Sequence, residues 1–478
     1  MSNLERFQHF KNKNVRETCS CEDGKREGTC RKYYWNGRLK EISFYCNGLL
    51  QGKREKYYLN NNLKSVEIFT NDILVFRQTY YENKQIKSII NFDEGKKNGK
   101  SSLFYKSGGL KEMAFYNNDK LHGKKKEFYE TGKLKFLGNY SNGVCIEKHK
   151  TYYESGQTYK LITYKSENKR EIEIFYESGK FKQLLNYNGK KLEGTMEEFY
   201  ENGITKSIIP YINGKIYGKV LHYYENGTCK EISHYMNNKL HNVSFTYFED
   251  GKLQVQRSYF HGKKTGEYLQ YYQSGKIKVI VFFNKKGHKT GDARIFYENG
   301  SLKEILSYEK DKRNGFVKKF YLNGNLKSKK YYKNGMLNGY FEKYDEKERK
   351  LFSCSYIDDI RNGPYEQHTY DDFDDSVVSI EGFFLSNKKH GLEVETRNNH
   401  IQSILRYSGG NLHGIQNKND SIDYYEYGIL LLQQNLKISE DCCICYEKTD
   451  FETGCKHPIC LNCIKKMRKQ CPMCRNNL

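Results

Sequence analysis

Four prolines and a single tryptophan in 478 residues leave this chain short of strand breakers and of the largest core-filling ring. It also lacks long apolar runs: none approaches the ~20 residues that span a bilayer as a helix. The start, MSNLERFQHFKNKN, has no apolar segment of the kind a signal peptide needs. Together these absences give the expectation of a protein made and kept in a reducing, cytoplasmic compartment. No glycine-rich phosphate cradle occurs, and no spacing nominates a catalytic triad. Hydrophobic residues make up 37%, below the globular norm, which argues against several compact domains. Yet there are 43 tyrosines and 40 glycines, which is not a disordered composition. Tyrosine packs its ring while its hydroxyl stays wet, so it suits thin structures with much surface.

The formal net charge is +23. From Lys437 onward eight Lys/Arg and five Asp/Glu give +3, which leaves +20 before that point. A basic surface favours nucleic acid, anionic lipid or acidic proteins without choosing among them. Here lysines alternate with acids along the whole length, the pattern of a solvated face. The cysteines are uneven: seven are scattered, at 19, 21, 30, 46, 145, 229 and 354, and eight crowd into 442–474. That is not a secreted disulfide framework. Cys19, Cys21 and Cys30 lack a fourth ligand at metal-site spacing, so they are thin grounds for a metal site.

From Gly28 a period appears. The second aromatic of each pair falls at Tyr34, Tyr58, Tyr81, Tyr105 and onward to Tyr272, Tyr297 and Tyr321, 23 to 25 residues apart, with Phe248 in one slot. A glycine precedes many of these by six, as at Gly28, Gly52, Gly291 and Gly315; Asn242 fills one such slot. Asparagine is the next best residue at positive φ, so the exception supports the rule. Counting slots that lost the glycine, there are about seventeen units, which means a repeat array. Inside each unit two short strands flank Asn-Gly (36–37, 202–203, 226–227, 299–300, 323–324) or a Ser-Gly, Thr-Gly or Asp-Gly equivalent. Asn-Gly is expected to supply positive φ at both central positions of a hairpin turn. One hairpin cannot stand alone in water, so each must pair with its neighbours. The expected fold is an all-β repeat array: consecutive antiparallel hairpins forming an elongated twisted sheet. Two strands per unit would advance it ~10 Å, and the whole array on the order of 150 Å before curvature. Leu302 and Tyr308 share one face and Ile305 takes the other, so alternation alone leaves the buried face open.

The units YYENGTCKEISHY, YYQSGKIKVIVFF and FYLNGNLKSKKYY resemble the MORN repeat in its shorter variant. The resemblance covers residues 28–414; residues 1–27 read as a cap or degenerate repeat and 415–438 as a capping segment and linker. It implies scaffolding, membrane-proximal placement or protein binding. Asn-x-Ser/Thr triplets at Asn139, Asn226, Asn242 and Asn299 read as hairpin chemistry rather than glycan sites. Asp371, Asp372, Asp374 and Asp375 lack the glycine and glutamate of a calcium loop.

Residues 439–478 differ in kind. Their spacing is C-x2-C-x9-C-x1-H-x2-C-x2-C-x7-C-x2-C, and eight such ligands in four pairs fit two tetrahedral zinc ions. This segment resembles the RING finger over its full length. The resemblance implies interleaved sites: Cys442, Cys445, Cys460 and Cys463 for one zinc, Cys455, His457, Cys471 and Cys474 for the other. So short a segment cannot bury an adequate core, so zinc would supply its folding energy. A RING has no nucleophile; it holds a ubiquitin-charged conjugating enzyme in a reactive arrangement, which is catalysis by positioning. By the same resemblance Ile444, Met467 and Pro472 match the apolar contacts to that enzyme. Arg475 stands where an arginine bridges enzyme and ubiquitin, a bidentate task its planar fork suits. The implied function is a RING-type E3 ubiquitin ligase whose array recruits a substrate or a membrane surface. The alternative is a non-catalytic scaffold or anionic-lipid-binding ribbon with a structural RING; nucleic acid ranks last. Many such units ahead of a terminal RING, in a chain rich in Lys, Asn and Tyr, resemble proteins of large DNA viruses.

Overall fold

The computed structural model describes residues 4–11, 13–418 and 421–435, with short strands at 440–441, 448–449 and 451–452. Every regular element among them is a β-strand. The chain divides into two compact units, Met1–Lys230 with Tyr235–Asn238, and Glu231–His234 with Lys239–Leu478. In each, strands adjacent in sequence pair antiparallel.

One repeat of the second unit shows how the sequence dictates this. Strands Lys289–Phe296 and Leu302–Glu309 pair from Gly291↔Tyr308 to Phe296↔Leu302, with a bulge between Ile295 and Phe296. The turn between them corrects the expectation from Asn-Gly. Gly300 has φ +97, whereas Asn299 is absent from the positive-φ residues. The Tyr297 N–H donates to the Ser301 carbonyl and the Gly300 N–H to the Tyr297 carbonyl, each at 2.9 Å. This is a three-residue loop, a type I turn closed by one left-handed glycine. The Asn299 side chain accepts the Ser301 N–H at 2.9 Å. By capping its own turn it stays in the right-handed region, so only the glycine needs positive φ.

The two-residue turn with positive φ at both positions lies at the next connection, which joins Leu302–Glu309 to Lys312–Phe320. Lys310 and Asp311 have φ +47 and +69. Asn71-Asp72, Asn118-Asp119 and Asn237-Asn238 do the same elsewhere. The second residue of such turns also reaches back one unit: the Asp72, Asp119 and Asp311 carboxylates accept the N–H of Leu50, Lys97 and Lys289 at 2.7–2.8 Å. Each repeat therefore gives two strands and two turns of different type on opposite rims of the sheet.

The glycine six residues before the tyrosine makes a bulge. Gly315 has φ +109, and pairing slips between Leu306 and Tyr308 beside it. A β-carbon there would lie 2.9 Å from Ser307 Cβ. Asn242 holds φ +65 in its slot, as expected, and Glu147 holds φ +60 in another.

Burial settles the faces. Ala293, Leu306 and Val317 form a buried cluster with Val281, Ile295, Tyr308 and Tyr332 packed on it, so the Leu302/Tyr308 face is the core face. Other units place small side chains at the Leu306 position, as with Ser43, Ala114 and Ser233. The core is accordingly thin. On the opposite face Ile42, Val66 and Leu137 are half-buried. Each lies opposite a long polar side chain, Arg31, Glu55 and Lys126, whose stem can cover it.

At the start, Leu4–His9 and Val15–Glu22 pair as a hairpin like the others. Cys19 lies directly opposite Cys30, Cα atoms 4.1 Å apart, so the two sulfurs face each other across the strand pair. The Cys21 sulfur instead faces the Cys19 carbonyl at 4.0 Å. Beyond residue 414, where the sequence period fades, Gly414–Lys418, Ser421–Glu426 and Ile429–Asn435 continue the pairing.

Candidate binding surface

The rim built from Tyr-x-x-Gly turns carries two superimposed ladders. In the first, each turn tyrosine donates its hydroxyl to a backbone carbonyl of the next unit. Tyr34, Tyr58, Tyr81, Tyr105 and Tyr129 donate to the carbonyls of Tyr57, Tyr80, Phe104, Phe128 and Tyr152 at 2.7–2.9 Å. Tyr272, Tyr297 and Tyr321 continue the pattern in the second unit, to Phe296, Phe320 and Tyr344. The acceptor is the first aromatic of the following pair, at the bulge where regular pairing slips. Adjacent aromatics in the sequence thus do different work: one ends a strand and offers its carbonyl, the other locks units together.

In the second ladder, a lysine six residues after most of these tyrosines lies over the ring; after Tyr153 the position holds Tyr159, edge-on to it at 5.0 Å. Lys40, Lys64, Lys87, Lys111 and Lys135 sit 5.4–5.6 Å from the ring centroids of Tyr34, Tyr58, Tyr81, Tyr105 and Tyr129. Lys278, Lys303 and Lys327 do so over Tyr272, Tyr297 and Tyr321 at 4.9–5.2 Å. The ring face attracts the ammonium and restrains it. The result is a row of exposed cations about 10 Å apart. The signal was present in the sequence as Tyr-x5-Lys, but it reads there as an ordinary charged strand position. Turn side chains join the same rim: Asn62, Asn83 and Asn202 donate to the carbonyls of Glu82, Lys106 and Glu225. Glutamates lie beside the lysines at these turns, so the rim is of mixed sign and suits a protein partner as well as an anionic one.

The core face also holds charge. Glu67 is 3% exposed and is met by Arg54 at 2.5 Å, Arg77 at 2.9 Å and Lys56 at 3.2 Å. Burial alone would push its carboxyl up. The hydrogen bond and charge of Arg54, with Lys56, outweigh it and hold the group below the usual carboxylate range. His149 is buried against Phe136, Tyr140 and Tyr164, and burial holds its imidazole below the usual histidine value.

Among the described residues one Ser–His pair occurs on the opposite face, Ser379 Oγ to His368 Nδ1 at 2.8 Å. Glu366 lies 3.8 Å from His368 Nε2, beyond hydrogen-bond range, and is held by Lys350 at 3.1 Å. Strand N–H groups here serve the sheet ladder, so no oxyanion donors converge on the serine. Of the glycosylation triplets, Asn226 and Asn299 cap their own turns and Asn242 occupies a bulge. Asp371 and Asp374 accept N–H groups of their own loop, and Asp372 pairs with Arg349 and Lys347.

The residues expected to bind zinc, Cys442, Cys445, Cys455, His457, Cys460, Cys463, Cys471 and Cys474, lie outside the described residues. So do Ile444, Met467, Pro472 and Arg475. Among the described residues no group of three or more His, Cys, Asp or Glu is arranged to hold a metal, Cys19, Cys21 and Cys30 included.

No curated protein matches the chain. Among solved structures it is similar to a chain titled "Crystal Structure of TcdB2-TccC3 without hypervariable C-terminal region". That match has 10% identity over 94% of this chain and 27% of that one, with a TM-score of 0.12, too slight to bear on the fold. The model of the MORN repeat variant matches eleven segments: 26–47, 77–94, 97–118, 121–142, 148–166, 192–213, 216–237, 240–261, 264–285, 289–310 and 313–334. Nine of them start two residues before the bulge slot, held by glycine or Asn242, and 77–94 and 148–166 start inside the first strand; all run on through the second strand, so the sequence match and the hairpin geometry describe the same unit. These eleven segments are therefore MORN repeats of the variant type.

Proposed function

We propose that this protein is a RING-type E3 ubiquitin ligase in which the MORN array recruits the substrate. The observation that carries the reading is the donor set of residues 442–474: seven thiols and one imidazole at C-x2-C-x9-C-x1-H-x2-C-x2-C-x7-C-x2-C spacing. That is the chemistry tetrahedral zinc takes. Bound zinc supplies the folding energy of the module. Ile444, Met467 and Pro472 then offer apolar contacts to a conjugating enzyme. Arg475 fixes the enzyme-bound ubiquitin by bidentate hydrogen bonds, which raises the rate through orientation alone. The work fits a reducing compartment, where thiols remain available to metal. Repeat arrays present extended surfaces made of similar units. The rim of turn tyrosines and lysines is such a surface, with specificity left to the places where units differ.

Elemental analysis of purified protein tests the reading: it should return two zinc ions per chain, and chelation should abolish ubiquitin transfer with a panel of conjugating enzymes. Protein that binds no zinc would rule it out.

A second reading has its own support. The +20 charge before Lys437 and the ring-held lysine row suit a scaffold that lies on anionic lipid. Vesicles containing phosphatidylserine should then bind the chain in a salt-sensitive manner; indifference to them removes this reading.

A further inference from the structure

The strand Leu326–Lys333 puts a charge where its neighbours put none. Its core-face residues are Leu326, Ser328, Lys330 and Tyr332. Lys330 lies directly opposite buried Val317 on one side and Phe341 on the other. The same position is Leu306 one repeat earlier and Cys354 one repeat later, both buried. Around Lys330 cations outnumber acids. Lys319 and Lys343 both lie directly opposite Ser328, one on each adjoining strand, so three lysines share one face across three strands. Lys330 and Lys343 stand over the Phe341 ring at 4.3 and 5.3 Å, and Lys343 also lies 5.9 Å from Phe352. Arg313 approaches from beside Tyr332. The facing acid is Glu304, 3.6 Å from Lys319. Among the described residues no carboxylate comes within 4.0 Å of Lys330 or Lys343. Burial, then Lys319, Lys343 and Arg313, push the Lys330 ammonium below the usual lysine value.

Glu67 shows what is missing. It occupies the equivalent strand position in the first unit, and Lys56 holds the register there that Lys319 holds here, opposite Ser65 and Ser328 respectively. At Glu67 three cations from the flanking strands converge on a built-in carboxylate. At Lys330 the centre is itself a cation and Glu304 offsets only Lys319, so positive charge is left over for an anion from outside. Compact ammonium groups, rather than forked guanidinium groups, suit a small dianion bound as a point charge. We propose that Lys319, Lys330 and Lys343 form a binding site for a phosphate monoester. Phe341 and Phe352 form its apolar floor, which strengthens the charge contacts by excluding water. The ester is carried either on a phosphorylated side chain of a partner or on a free small molecule. The site stands independently of the C-terminal module.

The test uses the full chain. A fluorescent phosphoserine peptide, its unphosphorylated twin, inorganic phosphate and pyrophosphate are titrated at constant ionic strength. Phosphopeptide binding that inorganic phosphate displaces identifies a phosphorylated side chain as the source. Binding of phosphate or pyrophosphate without the peptide identifies a free ester. Binding of none of them overturns the proposal. Lys330→Leu and Lys343→Leu should each weaken binding about ten-fold, the value of one charge-assisted hydrogen bond. Lys124→Leu, an exposed lysine on the first unit, should leave it unchanged. Equal losses in all three variants would mean unspecific charge attraction and would also overturn it. Lys330→Leu carries its own folding control: Leu306 already fills that position, so the variant should melt at or above the native temperature in phosphate-free buffer. Phosphate should raise the melting temperature of the native chain and not of this variant.

Discussion

Gly138 and His149 occupy one space. A β-carbon on Gly138 would lie 2.9 Å from His149 Cδ2 and 2.8 Å from Phe136 Cζ. The glycine has no positive φ to explain it. It is there because the imidazole fills the room that Ala114 fills with its own methyl one repeat earlier. Gly138→Ala should therefore destabilise this repeat by about 1–3 kcal/mol, the cost of overpacking. Hydrogen exchange of the strands Leu134–Ser141 and Val144–Tyr152 should show faster opening there, with the repeats around Tyr297 unchanged.

The same ring makes this repeat sensitive to acid. Burial lowers the His149 pKa, and its bond to the Asn139 carbonyl at 3.3 Å only partly opposes that. A histidine depressed in the folded state binds fewer protons folded than unfolded. Its contribution is thus complete above the unfolded value of 6.5 and is lost as pH falls below it toward the folded value. Local exchange protection around residues 134–164 should drop between neutral pH and mild acid. His149→Gln should flatten that dependence; an unchanged slope would assign it to other groups.

Phe248 is the turn aromatic that lacks a hydroxyl. Its counterparts donate at 2.7–2.9 Å to the carbonyl one unit on. Phe248→Tyr should complete the ladder at the Tyr271 carbonyl and stabilise the second unit by about 1 kcal/mol. The reverse change, Tyr129→Phe, should destabilise the first unit by a similar amount. Thermal unfolding of both variants checks the pair of signs.

Glu147 holds φ +60 where most units have glycine. A left-handed conformation costs a non-glycine residue about 1–2 kcal/mol. Glu147→Gly should recover part of this, up to about 1 kcal/mol after the greater chain entropy of glycine. The loss of the 3.3 Å contact from Asn139 to the Glu147 carboxylate is minor beside it. Proteolytic resistance of this region should rise.

The repeat and its hairpins were legible because they rest on local rules. The 24-residue spacing, the glycine bulges and the asparagine at Asn242 all follow from φ preferences that a single chain displays. The turn at Asn299-Gly300 was misread because the dipeptide is ambiguous: its geometry depends on whether the asparagine side chain caps the turn, and the Ser301 N–H decides that. The buried face was illegible since both faces carry apolar residues, and the difference lies in which row the long lysine and glutamate stems cover. The paired cations around Glu67 and the unpaired ones around Lys330 were out of reach for another reason. They depend on cross-strand register, which brings together residues on separate strands that no sequence window joins. The residues proposed to bind zinc, by contrast, are read from the sequence alone, through their spacing.

In the proposed function the C-terminal module positions a charged conjugating enzyme, and Arg475 does the positioning. The direct measurement is ubiquitin transfer in a reconstituted reaction, comparing the native chain with Arg475→Ala at equal zinc content. The expected result is zinc-dependent self-modification by the native chain and a loss of most of it, ten-fold or more, in Arg475→Ala, an effect of about 1.4 kcal/mol or more on the transition state. Transfer by Arg475→Ala at the native rate, or none from the native chain with any conjugating enzyme, would contradict it.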